Sequence, residues 1–175
     1  KIAIVILNWN GQKLLEQFLP SIVNFSSKDA EIYVADNAST DSSINYVKKN
    51  FPSVKIVENA VNGGYAKGYN DALKVIKADI YCLLNSDVEV TENWLKPIIT
   101  VFNSDENTAI IQPKLLDFKD KTKFEYAGAS GGFVDLYGYP YCRGRVFNHL
   151  ETDKGQFNDI SDIFWASGAC LFIRS

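Results

Sequence analysis

Asp87 follows an apolar run, Ile80 to Leu84, and the pair Asn85-Ser86, with Glu89 two residues further on. A carboxylate exposed at the end of a buried strand can hold Mg²⁺ or Mn²⁺. Both cations take oxygen ligands and keep coordination positions for phosphate oxygens. Such a metal would neutralise a diphosphate and stabilise it as it leaves. The competing reading is that Asp87 and Glu89 complement the N-terminus of the next helix. Three other polar clusters end apolar runs of the same kind: Asn8-Trp9-Asn10-Gly11, Asp36-Asn37-Ala38-Ser39-Thr40-Asp41 and Asn62-Gly63-Gly64. Taken singly, Asp36-Asn37 reads as an Asx-turn before a helix cap, and Asn62 to Gly64 as a tight turn. Four consecutive runs delivering amides and carboxylates exceed what capping demands.

The elements that would position these residues alternate in type. Ile2 to Leu7, Glu31 to Ala35, Val54 to Val57 and Ile80 to Leu84 read as strands, the first and last buried on both faces. Between them lie helical stripes: Leu14, Leu15, Phe18, Leu19, Ile22 and Val23; then Ile44, Val47 and Phe51; then Tyr65, Tyr69, Ala72, Leu73 and Ile76. Pro20 is expected to kink or shorten the first helix. Ser39, Thr40 or Asp41 can cap the second, and Thr91 a fourth helix carrying Trp94, Leu95, Ile98, Ile99 and Phe102. Ala109 to Gln112 reads as a further strand. This alternation implies right-handed βαβ units and an α/β fold with a mostly parallel sheet flanked by helices. In such sheets ligands bind beyond the carboxyl ends of the strands, where the four polar clusters fall.

From about Asp117 the texture changes. Tyr126 to Phe147 is rich in glycine and aromatics and reads as long loops with short strands, and Ile163 to Ile173 as a strand interrupted near Ser167-Gly168. The expected organisation is one domain over 1–175, with a ligand-binding half over 1–116 and a second half, incomplete at its end, over 117–175. The chain has 175 residues, 46% hydrophobic, enough for one sizeable core, and a net charge of −3 that argues against a nucleic-acid partner. Cys82, Cys142 and Cys170 form no metal-ligand spacing, and His149 is the single histidine, which disfavours a zinc site and a serine–histidine triad. The thiols fit a reducing cytoplasm. No G-x-G-x-x-G follows the first strand and no G-x-x-x-x-G-K-[ST] loop occurs, so dinucleotide enzymes and P-loop NTPases lose support.

In order, Val5-Ile6-Leu7-Asn8-Trp9-Asn10-Gly11, Val34 to Asp41, Asn62-Gly63-Gly64-Tyr65-Ala66-Lys67-Gly68-Tyr69-Asn70, Leu83 to Val90 and Trp165-Ala166-Ser167-Gly168-Ala169-Cys170 resemble the successive motifs of family 2 glycosyltransferases, with the rhamnosyltransferase-like branch nearest. The resemblance implies a GT-A fold that binds a nucleotide-diphosphate sugar and passes the sugar to an acceptor hydroxyl of a polysaccharide or lipid-linked glycan. It places Leu7, Asn8, Asn10, Asp36, Asn37, Asn62, Gly64, Asn70, Asn85 and Ser86 around the nucleotide, with Asp36 on base or ribose. Asp87 becomes the metal ligand of a DxD-type motif, with Mg²⁺ or Mn²⁺ as cofactor. It also implies a cytoplasmic location, at the inner membrane face where acceptors are lipid-linked, although no amphipathic basic helix supports a membrane contact.

Two departures stand out. The DxD-type position reads Asn85-Ser86-Asp87, one carboxylate fewer. The family's acidic base motif lies beyond the Ser-Gly-Ala strand, so an inverting transfer is expected to take its general base from beyond Ser175. Asp135, Glu151, Asp153, Asp159 and Asp162 stand in no matching motif. Phe133 to Phe147, with Arg143 and Arg145, could cover the donor or line an acceptor groove, or simply pack on the sheet. Two rival functions stay open: a sugar-nucleotide binding module without turnover, and a nucleotidyltransferase, for which the first turn lacks a glycine-rich basic loop.

Overall fold

A computed structural model describes residues 1–126 and 128–175. Ala127, inside the loop-rich stretch expected over Tyr126 to Phe147, lies outside the described residues. The first half runs β1 (Ile2–Asn8), α1 (Gln12–Ser26), β2 (Ala30–Asp36), α2 (Ser43–Asn50), β3 (Lys55–Glu58), α3 (Gly64–Leu73), β4 (Ile80–Asn85), α4 (Leu95–Ser104) and β5 (Ile110–Ile111). The second half holds β6 (Gly132–Val134), β7 (Pro140–Cys142), β8 (Arg145–Val146), β9 (His149–Leu150) and β10 (Cys170–Arg174).

Six strands form one sheet in the order β3-β2-β1-β4-β10-β5. β1 to β4 are parallel, and β10 inserts antiparallel between β4 and β5. β6 to β9 form a separate antiparallel sheet. The strand order reverses between β1 and β4, the topological switch point where an open α/β sheet leaves a crevice. The register aligns Asn8 with Asp36, Asp36 with Glu58, and Leu7 with Asn85, so the polar clusters emerge side by side.

Alternation along the strands builds both faces of the core. Ile4, Ile6 and Leu84 pack with Leu15, Leu19 and Ile22 of α1 and Leu95, Ile98 and Phe102 of α4. Ala3, Val5, Tyr33, Ala35 and Leu83 pack against Tyr69 and Ala72 of α3 and Ile76 beyond it. Cys82 and Cys170 are buried in this sheet, as small hydrophobes would be.

Several expectations shift. Pro20 neither ends nor shortens α1, which continues to Ser26; Pro20 lies on the exposed face, where its missing donor disturbs no packing. The residue before α4 is Trp94, and Thr91 contributes only its carbonyl, to the Trp94 N–H at 3.4 Å. The strand at Ala109 to Gln112 shrinks to two residues, and the last apolar segment is regular only from Cys170, because Gly132 bridges Trp165 ahead of it.

Candidate functional site at the carboxyl edge of the sheet

Asn8, 1% exposed, ends β1 and anchors the first loop. Its Nδ2 donates to Asp36 Oδ1 at 2.9 Å, Ser39 Oγ at 3.1 Å and Ser43 Oγ at 2.9 Å. Both serine protons go elsewhere: Ser39 Oγ donates to Asp36 Oδ1 and Ser43 Oγ to Asp41 Oδ1, each at 2.5 Å. With those protons committed, both hydroxyls accept from Asn8 Nδ2, which fixes the amide's orientation; Ser39 Oγ also accepts the Asn10 N–H at 2.9 Å. Asn8 Oδ1 is buried with no hydrogen-bond partner among the described residues and faces Gly11, where a methyl group would stand only 2.5 Å away.

Asp36 is 4% exposed, and its Oδ2 also accepts the Ser39 N–H at 2.9 Å. The turn expected at Asp36 thus exists, and most of the carboxylate's capacity is spent inside it. Asn10, at φ 50°, accepts the N–H groups of Thr40 at 2.7 Å and Asp41 at 3.2 Å, locking the loops after β1 and β2 together. Asp41 accepts the Ser43 N–H that opens α2 and the Gln12 N–H that opens α1. Burial pushes its carboxyl up, but the Ser43 hydroxyl and these N–H groups outweigh that and hold it below the usual range.

Asn37, 2% exposed, is the hub of the next cluster. Its Nδ2 donates to Asn62 Oδ1 at 3.2 Å and the Gly64 carbonyl at 3.0 Å, and its Oδ1 accepts from Asn59 Nδ2 at 2.9 Å. Asn59 also donates to the Gly68 carbonyl, and Asn62 accepts the Gly64 N–H at 2.9 Å. Gly64 sits at φ 76°, where glycine has no steric cost. Gly68 lets α3 approach Asn37 and Leu7, since a methyl there would meet the Asn37 amide at 2.6 Å and Leu7 Cδ1 at 2.9 Å.

At the end of β4, the Asn85 N–H donates to the Ala169 carbonyl at 2.9 Å, and Tyr69 donates to the Leu84 carbonyl at 3.0 Å. Asn85 and Ser86 are half-buried, Asp87 is exposed, and no hydrogen-bond or ion-pair partner of Asp87 occurs among the described residues. Glu89 is paired with Lys121. Among the described residues no three His, Cys, Asp or Glu gather into a metal-binding group. The donor set of one exposed carboxylate, an amide and a hydroxyl fits Mg²⁺ or Mn²⁺ held largely by substrate phosphates and water, not a cage of protein ligands.

Asn8, Asn10, Asp36, Asn37, Asn62, Gly64, Leu7 and Asn85 thus share one edge, with Ser86 and Asp87 following. Asn70 stands apart: six residues beyond Gly64, about 9 Å along the helix, it is exposed and without a partner among the described residues. Sequence reasoning missed Ser43 and Asn59. Asn59 directly follows β3 and so obeys the strand-end rule, whereas Ser43 lies inside the first turn of α2 and carries no such signal. Trp9 is 59% exposed and belongs to no core. Tyr69 is core, its hydroxyl held neutral by burial.

Arg143, Arg145 and most of the acids singled out in the second half are engaged by protein groups. Arg145, buried, donates to the Phe147 and Tyr126 carbonyls; Arg143 donates to the Ser130 carbonyl and pairs with Asp159. Asp153 pairs with Lys114 at 2.5 Å, and Asp135 accepts the N–H groups of Tyr137 and Tyr139.

Comparison with known proteins decides the family. The profile described as "Glycosyl transferase family 2" matches residues 3–174. The chain belongs to glycosyltransferase family 2. A poly(ribitol-phosphate) beta-glucosyltransferase of Bacillus spizizenii is 39% identical over 93 residues, 50% of this chain and 15% of the relative. Two solved structures share the GT-A fold at 20% identity. The Pyrobaculum calidifontis mannosyltransferase PcManGT, in complex with GDP-Man and Mn²⁺, aligns with TM-score 0.58 over 69% of this chain and 36% of that one. TarS of Staphylococcus aureus in complex with UDP aligns with TM-score 0.60 over 79% and 43%. The family 2 chain therefore spans less than half the length of each of these proteins.

Proposed function

We propose that this family 2 domain binds a nucleotide-diphosphate sugar and serves transfer of the sugar, with inversion, to an acceptor hydroxyl. The observation that carries this reading is the convergence, at the switch point, of two amide and carboxylate cradles and one uncommitted carboxylate. Residues 1–116 act as the donor half and 117–175 as part of the acceptor half. Asp36 Oδ2 keeps acceptor capacity toward a ribose hydroxyl or base N–H, and its buried network holds it rigid for that contact. The turn Asn62 to Gly64, fixed through Asn37, lines the nucleotide on the other side, with Asn8 and Asn10 shaping the loop between and Asn70 further along α3.

Asp87, with Asn85 and Ser86 beside it, would hold Mg²⁺ or Mn²⁺ against the diphosphate. The ion would supply charge neutralisation for the leaving group. No residue of this chain is assigned as the general base: Asp135, Glu151, Asp153 and Asp159 each accept from a neighbouring group, and Asp162 stands in no matching motif.

For the acceptor, the Bacillus relative's name supports a polymer hydroxyl, and a lipid-linked glycan is the alternative. The family likeness supports a hexosyl or deoxyhexosyl donor. A lipid-linked acceptor would be met at the cytoplasmic face; among the described residues no helix is long and apolar enough to cross a membrane. Calorimetric titration with UDP and dTDP, with and without Mn²⁺, tests the donor reading. Metal-dependent binding that Asp87→Ala abolishes is expected; equal binding in all conditions would sink the metal assignment.

A further inference from the structure

Two tyrosines on one face of α3 tie together the segments around the site. Tyr65 directly follows Gly64, and its hydroxyl donates to the Gly168 carbonyl at 2.6 Å. One turn on, Tyr69 donates to the Leu84 carbonyl at 3.0 Å, and the two rings meet edge-to-face at 4.9 Å. Leu84 immediately precedes Asn85-Ser86-Asp87, and the Asn85 N–H donates to Ala169, the neighbour of Gly168. The contacts close a circuit from α3 to Gly168, across to Asn85, back through Leu84 and into α3. Gly168 leaves room for it: a methyl group there would lie 2.6 Å from the Tyr65 hydroxyl oxygen.

Asp87 has no partner of its own among the described residues, so its placement is inherited from this circuit. Tyr69 is buried and would be needed for packing under any account. Tyr65 is 46% exposed, and its hydroxyl reaches out of the donor half to a backbone carbonyl 103 residues away in sequence. Packing alone does not require that hydroxyl; phenylalanine would keep the ring contact with Tyr69.

We propose that Tyr65 is a positioning residue: through Gly168 and Ala169 it sets the Asn85–Asp87 turn at a fixed spacing from the nucleotide turn Asn62–Gly64. This rests on the donor-site reading above. Its consequence is that the hydroxyl matters for a ligand spanning both turns and little for one that occupies the nucleotide turn alone.

Tyr65→Phe removes the hydroxyl and keeps the ring. Losing one hydrogen bond of ordinary worth should speed exchange of the Asn85 amide about three- to tenfold. UDP affinity in the presence of Mn²⁺ should fall by about the same factor, while UMP affinity without metal changes less than about twofold. Gly168→Ala, whose methyl meets the Tyr65 hydroxyl oxygen, should reproduce the loss, and adding Tyr65→Phe to it should cause no further loss. An Asn85 amide that exchanges at the parent rate overturns the proposal, and so does a parallel fall in UMP and UDP·Mn²⁺ affinity, which a merely structural role would give. If the parent binds UDP no better with Mn²⁺ than without, the donor-site reading fails, and Asn85 exchange still decides whether Tyr65 positions the turn.

Discussion

Gly68→Ala sets helix propensity against a specific contact, and the structure says which wins. Gly68 is interior to α3, so propensity alone favours alanine by about 1 kcal/mol. The new methyl group, however, would lie 2.6 Å from Asn37 Nδ2 and 2.7 Å from Asn37 Oδ1. One response is to keep the Asn37 hub and shift α3 outward, an overpacking cost of about 1–3 kcal/mol. The other is to swing the Asn37 amide away, losing its bonds to Asn59, Asn62 and Gly64. At about 0.5–1.5 kcal/mol each, that costs about 1.5–4.5 kcal/mol. The cheaper response sets the outcome, so after the propensity gain the variant should be less stable by up to about 2 kcal/mol. Urea unfolding should show a midpoint lowered by up to about 1 M with an unchanged slope. In an Asn37→Ala background the same substitution should become neutral or stabilising. A Gly68→Ala variant stabilised by the full propensity gain of about 1 kcal/mol, with Asn37 intact, would refute the assignment of Asn37 as a packed hub.

The other predictions follow from single contacts. Gly11→Ala should destabilise by about 1–3 kcal/mol in thermal unfolding, because its methyl meets the buried Asn8 Oδ1 at 2.5 Å. Arg145→Met should cost about 1–3 kcal/mol by leaving the Tyr126 and Phe147 carbonyls unpaired, with nucleotide affinity unchanged in calorimetry. Glu31 is held at about 2, against an ordinary 4.5, by the Tyr33 hydroxyl first and then Lys1 and Lys55. A depressed carboxylate contributes stability above its ordinary value and loses it as pH falls toward 2. Acid titration of Glu31→Gln should therefore show a shallower loss of stability between pH 4.5 and 2 than the parent does.

The strand-end residues were legible in sequence because a buried parallel strand is a run of β-branched and aliphatic residues, and whatever polar residue ends it must sit at the rim. That rule alone locates Asn8, Asp36 and Asn85, the last residues of β1, β2 and β4. It says nothing about whether a side chain faces a ligand or its neighbours, and Asp36 shows the difference: its carboxylate is turned into Asn8 and Ser39. Arg143 and Arg145 illustrate the same limit, since composition suggests phosphate contacts whereas both guanidiniums satisfy backbone carbonyls. The antiparallel insertion of β10 was also hidden. Its apolar run reads as a strand, but direction depends on the path of the intervening chain, which carries no clean period. The Tyr65–Gly168 contact spans that same path and was invisible for the same reason.

Asp87 carries the claim that this edge holds a metal against a diphosphate, and paramagnetic broadening tests it most directly. Amide spectra of the domain would be recorded with UDP, then with substoichiometric Mn²⁺ added. The account predicts broadening centred on Asn85, Ser86 and Asp87 and extending to Asn62–Gly64 and Asn8–Asn10, lost in Asp87→Ala. Broadening that leaves Asn85–Asp87 untouched, or that persists unchanged in Asp87→Ala, would contradict it.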